Sequence, residues 1–312
     1  MAPKSKFTTT YILGGILIIL IATAFLVKGN INFLNPKTSN MFIDDFNAEE
    51  ITKIEIINQS QTQTLERKEN SWVVSSQNDV GAEQKAVLAI LEETKRLTKD
   101  GVASKNPEKR SVYQVDKDGT QVKLFKGENE VANFYIGKTG PDFSSTYIRK
   151  ENEDIVYLFL ENIGSTFNRN DFRNLEILTF DKDKVKSLTF ETQKTQFVVE
   201  KIEDKWELTA PLNVEVNQDK INFTLNDLAN LKGKDIITDT EGKNFDFDKP
   251  TSKISVSFTE NGDQTLLIGA KTSGEEDTDY YAKNEASETV FTLSKVTVED
   301  FPSKIEGLLL EK

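Results

Sequence analysis

The chain has 312 residues, neither His nor Cys, and a formal net charge of -12 at pH 7 from 51 acidic and 39 basic side chains. An acidic surface repels phosphate backbones, which speaks against nucleic acid as its main ligand. Without His the commonest general base and metal ligand is missing, and without Cys there are no disulfides, thiolate nucleophiles or Cys-ligated zinc.

The first predicted element is a membrane span. From Phe7 to Val27 there are 21 residues without a charge, which as a helix would be about 31 Å long, close to the hydrocarbon thickness of a bilayer. Ala22-Thr23-Ala24 has the form that signal peptidase accepts, so cleavage after Ala24 is the alternative. Against it, Phe25, Leu26 and Val27 continue the apolar run where a polar stretch is expected. Lys4 and Lys6 precede the span and acidic residues from Asp44 follow it. That bias predicts a cytoplasmic N-terminus and an extracytoplasmic body at the cell membrane. Residues 1–27 are thus the cytoplasmic tip and transmembrane anchor, and residues 28–50, with Gly29, Pro36 and Asn40, a juxtamembrane linker.

Beyond the linker the sequence repeats itself. An offset of 134 residues sets Ile51, Ile54 and Ile56 on Val185, Leu188 and Phe190, then Leu65 on Val199, Trp72 on Trp206, Gln84 on Gln218, Leu91 on Leu225 and Leu97 on Leu231. After a slip of one or two residues the same offset returns for Tyr147 on Tyr281. Two tandem copies are predicted, residues 51–173 and 185–312, joined by a linker over 174–184. Each opens with alternating apolar residues, an antiparallel meander. Next, Val87, Ile90, Leu91, Thr94 and Leu97 share one helical face, as do Ile221, Thr224, Leu225, Leu228 and Leu231. Hairpins follow around Lys126-Gly127-Glu128-Asn129 and Glu260-Asn261-Gly262-Asp263. Strands near 146–149 and 155–160 and a short helix over 161–167 close the first copy. The fold class is α+β: two copies of an antiparallel sheet packed on one long amphipathic helix, behind a single transmembrane helix.

Few motifs carry chemistry. Gly137-Lys138-Thr139 resembles a phosphate loop, but Ala132 stands where its first Gly belongs and Pro141 follows instead of a helix, so a strand-ending turn is expected. Asp116-Lys117-Asp118-Gly119 resembles a calcium loop, but Phe125 stands where the bidentate Glu belongs, which leaves an acidic turn. Asp181 to Lys184 is read as solvated linker, and the glycosylation patterns at Asn58 and Asn222 as chance. Trp72 and Trp206 are expected in the core, with ligand stacking the alternative; Tyr147 and Tyr281 are expected to pack a sheet. No catalytic, cofactor-binding or metal-binding residue is assigned.

The order of an Ile/Leu-rich strand pair, a Trp, a long helix, Tyr113-Gln114-Val115-Asp116-Lys117, Ile136-Gly137, Tyr147-Ile148-Arg149, Val156-Tyr157 and Phe172-Arg173-Asn174 resembles the domain-of-unknown-function family 4340, over about Ile51 to Phe301. The second copy departs from it, with Tyr281-Ala282-Lys283 in place of Tyr-x-Arg. The resemblance implies a membrane-anchored bacterial protein encoded beside ABC-2 type permeases and gliding-motility-type ABC components. The function expected is therefore that of a non-enzymatic accessory or partner-binding protein of an ABC-type transporter, with an ABC-2 type permease or other transporter subunit as partner. The alternatives are an extracytoplasmic carbohydrate- or envelope-polymer-binding module and a carboxylate-based hydrolase.

Overall fold

The computed structural model describes residues 40–309 apart from 261 and 274–277. The predicted anchor lies outside the described residues. Among the described residues, no helix is long and apolar enough to cross a membrane. The fold is α+β and mostly sheet. The first half supplies β1 (Lys53–Ile57), β2 (Thr62–Lys68), β3 (Ser71–Val74), β4 (Val80–Gly81), α1 (Gln84–Arg96), β5 (Gly101–Ser104), β6 (Thr120–Lys126), β7 (Asn129–Thr139), β8 (Thr146–Lys150), β9 (Val156–Phe159) and α2 (Gly164–Phe167). The second supplies β10 (Val185–Thr192), β11 (Gln196–Ile202), β12 (Lys205–Ala210), β13 (Val214–Glu215), α3 (Gln218–Ala229), β14 (Asp235–Ile237), β15 (Ser252–Phe258), β16 (Gln264–Lys271), β17 (Tyr280–Asn284), β18 (Val290–Leu293) and α4 (Lys295–Asp300).

These strands form two antiparallel nine-stranded sheets. The first has the order β4-β3-β2-β1-β6-β7-β8-β9-β5 and the second β13-β12-β11-β10-β15-β16-β17-β18-β14, the same order strand for strand. By compactness the chain divides into two units. One holds the residues up to Ile51 with Ile56–Gln61 and Ala89–Asn168; the other holds Thr52–Glu55, Thr62–Leu88 and the residues from Arg169 onward.

The second sheet shows how the alternating pattern becomes a core. Successive side chains of a strand point to opposite faces, so the buried residues of β10, Val185, Leu188 and Phe190, share one face across a single irregularity near Val185. The register sets Leu188 against Val199 and Phe190 against Phe197 on one side, and against Val256 and Ile254 on the other. Ile221, Leu225, Leu228 and Leu231, one face of α3 and the turn after it, join the same buried cluster. Removing each such side chain from water contributes about 1.5–3 kcal/mol. Asn217 starts α3, its Oδ1 accepting the backbone N–H groups of Asp219 and Lys220 at 3.1 and 3.2 Å, as an N-cap should.

In the first unit Phe42 is fully buried. Its ring meets Phe134 edge-on at 5.8 Å and Tyr157 at 6.1 Å, and its N–H donates to Leu97 O at 2.8 Å. Part of the stretch predicted as linker thus contributes to a core. The predicted helical faces hold in both halves: Val87, Ile90, Leu91, Thr94 and Leu97 are buried, as are their five counterparts. The outermost strands β4, β5, β13 and β14 had no expectation; with two, four, two and three residues they are too short to carry an alternating pattern.

Candidate functional site

The two Trp residues were the first candidates. The two residues are 5% and 4% exposed, so neither is a stacking platform, and the polymer-binding alternative loses the aromatics it relied on. Each is fastened by a Gln of its own copy, and the offset superimposes the two Gln residues. Trp72 N–H donates to Gln84 Oε1 and Gln84 Nε2 donates back to Trp72 O, both at 2.9 Å; in the second copy Trp206 and Gln218 exchange the same two bonds at 2.8 Å. Gln84 and Gln218 each make a further bond, to Ala82 O and Val216 O. The first residue of each long helix is thereby stitched to the third strand of its meander. A second repeated stitch runs from the residue before each helix, Glu83 N–H to Phe172 O at 2.7 Å and Asn217 N–H to Leu308 O at 2.8 Å.

Gly137, Lys138 and Thr139 lie inside β7 at an irregularity in its pairing with β8, rather than in a turn beyond the strand's end. A Cβ on Gly137 would stand 2.3 Å from Tyr113 O, and one on Gly269 would stand 2.0 Å from Phe245 O. Only Gly lets these loops lie against the strands, which is why both copies carry it. The same loops cover the Tyr pair: Tyr113 packs on Tyr147 at 4.6 Å and Phe245 on Tyr281 at 4.8 Å between ring centres. Asp116 Oδ1 accepts Asp118 N–H at 3.1 Å, and Asp181 Oδ1 accepts Asp183 N–H at 3.0 Å, so both acidic motifs are local turn clamps. Asn58 does the same work between β1 and β2, accepting from Ser60 N and Gln61 N at 3.0 Å each.

Arg149 is 2% exposed. Its Nε donates to Val115 O at 2.8 Å, and one terminal nitrogen donates to the carbonyls of Lys150, Glu151 and Glu153 at 2.8, 2.9 and 3.0 Å. The other reaches Glu151 Oε2 at 3.3 Å, and the guanidinium stacks 4.5 Å from the Tyr135 ring centre. A buried cation survives only when its donors are met, and here the backbone meets them. In the second copy Lys283 lies 5.4 Å from the Phe247 ring centre.

Among the described residues, the carboxylates whose ionisation shifts all move down. Hydrogen bonds from Lys126, Arg169 and Ser145 hold Glu50, Glu83 and Asp142 low; at Asp171 burial acts upward but the bonds and charge of Arg173 prevail. A general acid at neutral pH needs the opposite shift. Among the described residues no group of three or more His, Cys, Asp or Glu is arranged to hold a metal ion. Two open concavities are formed by described residues, one of about 700 Å³ in the first unit by Met41, Arg96, Asp100 and Leu160, and one of about 680 Å³ in the second between α3 and the segment 299–308. Phe143, 83% exposed, and Phe223, 68%, are aromatics that the sequence did not single out; Phe143 stands in a turn-forming Gly140-Pro141-Asp142 context that was the available signal.

What the geometry defines is a double α+β framework in which the motif residues brace the backbone. The profile of the family described as Domain of unknown function (DUF4340) matches residues 72–243 and again 206–309. The two matches begin at Trp72 and Trp206, the residues that the 134-residue offset superimposes. The chain belongs to this family. Neither the curated proteins nor the solved structures compared with it gave a match.

Proposed function

We propose that the protein is a membrane-anchored, extracytoplasmic accessory subunit that binds a partner, an ABC-type transporter with an ABC-2 type permease, and performs no chemistry of its own. One observation carries this reading: the residues by which the chain resembles its family are spent inside it. Both Trp rings are buried, Gly137 and Gly269 are filled by backbone, and the Arg149 donors are held by carbonyls. Residues used in this way support a common scaffold better than a common reaction. The uncharged stretch Phe7–Val27 supports a single span with the N-terminus in the cytoplasm, and the matching strand orders and Trp–Gln bonds support duplication of one ancestral unit.

The test is native co-purification of the full chain from membranes in mild detergent. A permease should accompany it in fixed proportion; recovery of the chain alone would refute the accessory role. Protease added to spheroplasts should degrade the body, and survival until lysis would reverse the topology.

A further inference from the structure

The loop between β7 and β8 presents an aromatic side chain to solvent. Phe143 is 83% exposed and its backbone has φ +59°, a left-handed conformation that Gly or Asn adopts far more readily than a bulky side chain. The loop is nevertheless firmly held. Gly140 N donates to Ser145 O at 2.9 Å, and Asp142 Oδ1 accepts from Ser144 N, Ser145 N and Ser145 Oγ. Asn162 Nδ2 donates to Phe143 O at 3.2 Å. Nothing in this bonding requires a Phe, so the ring is carried for what lies outside the chain.

A second exposed side chain, Leu160 at 58%, stands at the same end of the sheet. The register makes this so: Thr139 at the end of β7 pairs with Thr146, which pairs with Phe159, next to Leu160. Asn40 lies at this end too. Asp100 accepts from Leu160 N at 3.0 Å through one oxygen and from Asn40 Nδ2 at 3.5 Å through the other. Between Val27, the end of the uncharged stretch, and Asn40 stand twelve residues, which reach at most ~43 Å however they are arranged. The cation nearest Leu160 is already taken, Arg96 pairing with two carboxylates, Glu93 and Glu161, so headgroup attraction is not the force at work.

We propose that this end of the first unit rests on the bilayer surface, with Phe143 and Leu160 entering the boundary between headgroups and acyl chains. The proposal rests on the anchoring proposed above and adds to it the orientation of the first unit. Apolar and aromatic side chains at that depth bind by buried area, in lipid of no net charge as well as in anionic lipid.

The experiment uses the full chain reconstituted in phosphatidylcholine vesicles, with Phe143→Trp, and Glu128→Trp as control. Glu128 is exposed in the turn before β7, about 33 Å away by the rise of that strand. A third variant, Phe25→Trp, reports on the anchor. Trp72 and Trp206 are buried and give a constant background. With acyl-brominated lipid, Phe143→Trp should lose part of its added emission, because an indole at the interface lies within reach of the acyl chains, and Glu128→Trp none. If Phe25→Trp is quenched and Phe143→Trp is not, the anchor stands and the docking surface is refuted. If the chain fails to float with vesicles and neither is quenched, the anchoring falls and takes the proposal with it. If Phe143→Trp is shielded from acrylamide in native membranes but untouched by brominated lipid, a protein covers the loop and the bilayer assignment is overturned.

Discussion

Exchanging the residues at positions 149 and 283 tests whether the buried Arg is a brace. Arg149→Met removes the donors from four carbonyls that lie 2.8 to 3.0 Å from the guanidinium. Hydrogen bonds to a charged group contribute ~1.5–3 kcal/mol each, and a buried acceptor left unmet costs about 1–3 kcal/mol. Val115 is fully buried, whereas Lys150, Glu151 and Glu153 are only partly so, and water can reach their carbonyls. The loss is therefore less than the sum of the bonds, about 3–5 kcal/mol, typical of breaking a buried charged network. Arg149→Lys keeps the charge but gathers three donors on one nitrogen, and it should lose at least ~1 kcal/mol by failing at least one of the four carbonyls. Lys283→Arg keeps the charge and its place beside the Phe247 ring and should change stability by less than about 0.5 kcal/mol. Urea unfolding of the three variants, compared at constant m, measures these differences. Equal effects at the two positions, or a loss below about 1 kcal/mol for Arg149→Met, would refute the bracing role.

Matched substitutions in the two copies should respond alike. Leu91→Ala and Leu225→Ala delete buried side chains of the two helices and should each cost about 2–5 kcal/mol in denaturant unfolding, with a near-zero effect in either breaking the equivalence. Gly137→Ala and Gly269→Ala force a Cβ to 2.3 and 2.0 Å from a carbonyl oxygen; each should lower stability by at least ~1–3 kcal/mol, and a stabilising result would contradict the close approach. Tyr157 is pushed up to about 12 by burial and then by its bond to Glu153. The neutral phenol is the form the fold favours, so its contribution is whole below the ordinary value of 10.0 and is lost as pH rises through about 12. Ultraviolet titration of tyrosinate should lose a late-ionising phenol in Tyr157→Phe; an unchanged curve would contradict this.

What could be read from the sequence was what local periodicity carries. The meanders and long helices announce themselves because burial of one face imposes a period on residues close in sequence, as from Ile51 to Ile56 or from Val87 to Leu97. Phe42 was hidden because its partners Leu97, Phe134 and Tyr157 are far away in sequence, while its neighbours Asn40 and Asp44 look like linker. Arg149 stood out as part of a motif, yet its role depends on carbonyls, which every residue has and no sequence distinguishes. The Gln84 and Gln218 alignment was visible, but its meaning needed the strand to lie beside the helix start. Phe143 required φ and exposure, and neither is written in residue type.

The sheet order carries a consequence for how these proteins avoid one another. In the second sheet the two outer strands, β13 and β14, are the chain's neighbours on either side of α3. An open antiparallel sheet normally offers a row of unpaired N–H and C=O groups at each border, a template for other chains. Here the borders have two and three residues, and the helix that joins them is held at its first residue by Gln218. Releasing that helix would loosen both borders together and expose the longer strands β12 and β18. Self-association should therefore track the integrity of α3 more closely than the composition of the edges themselves.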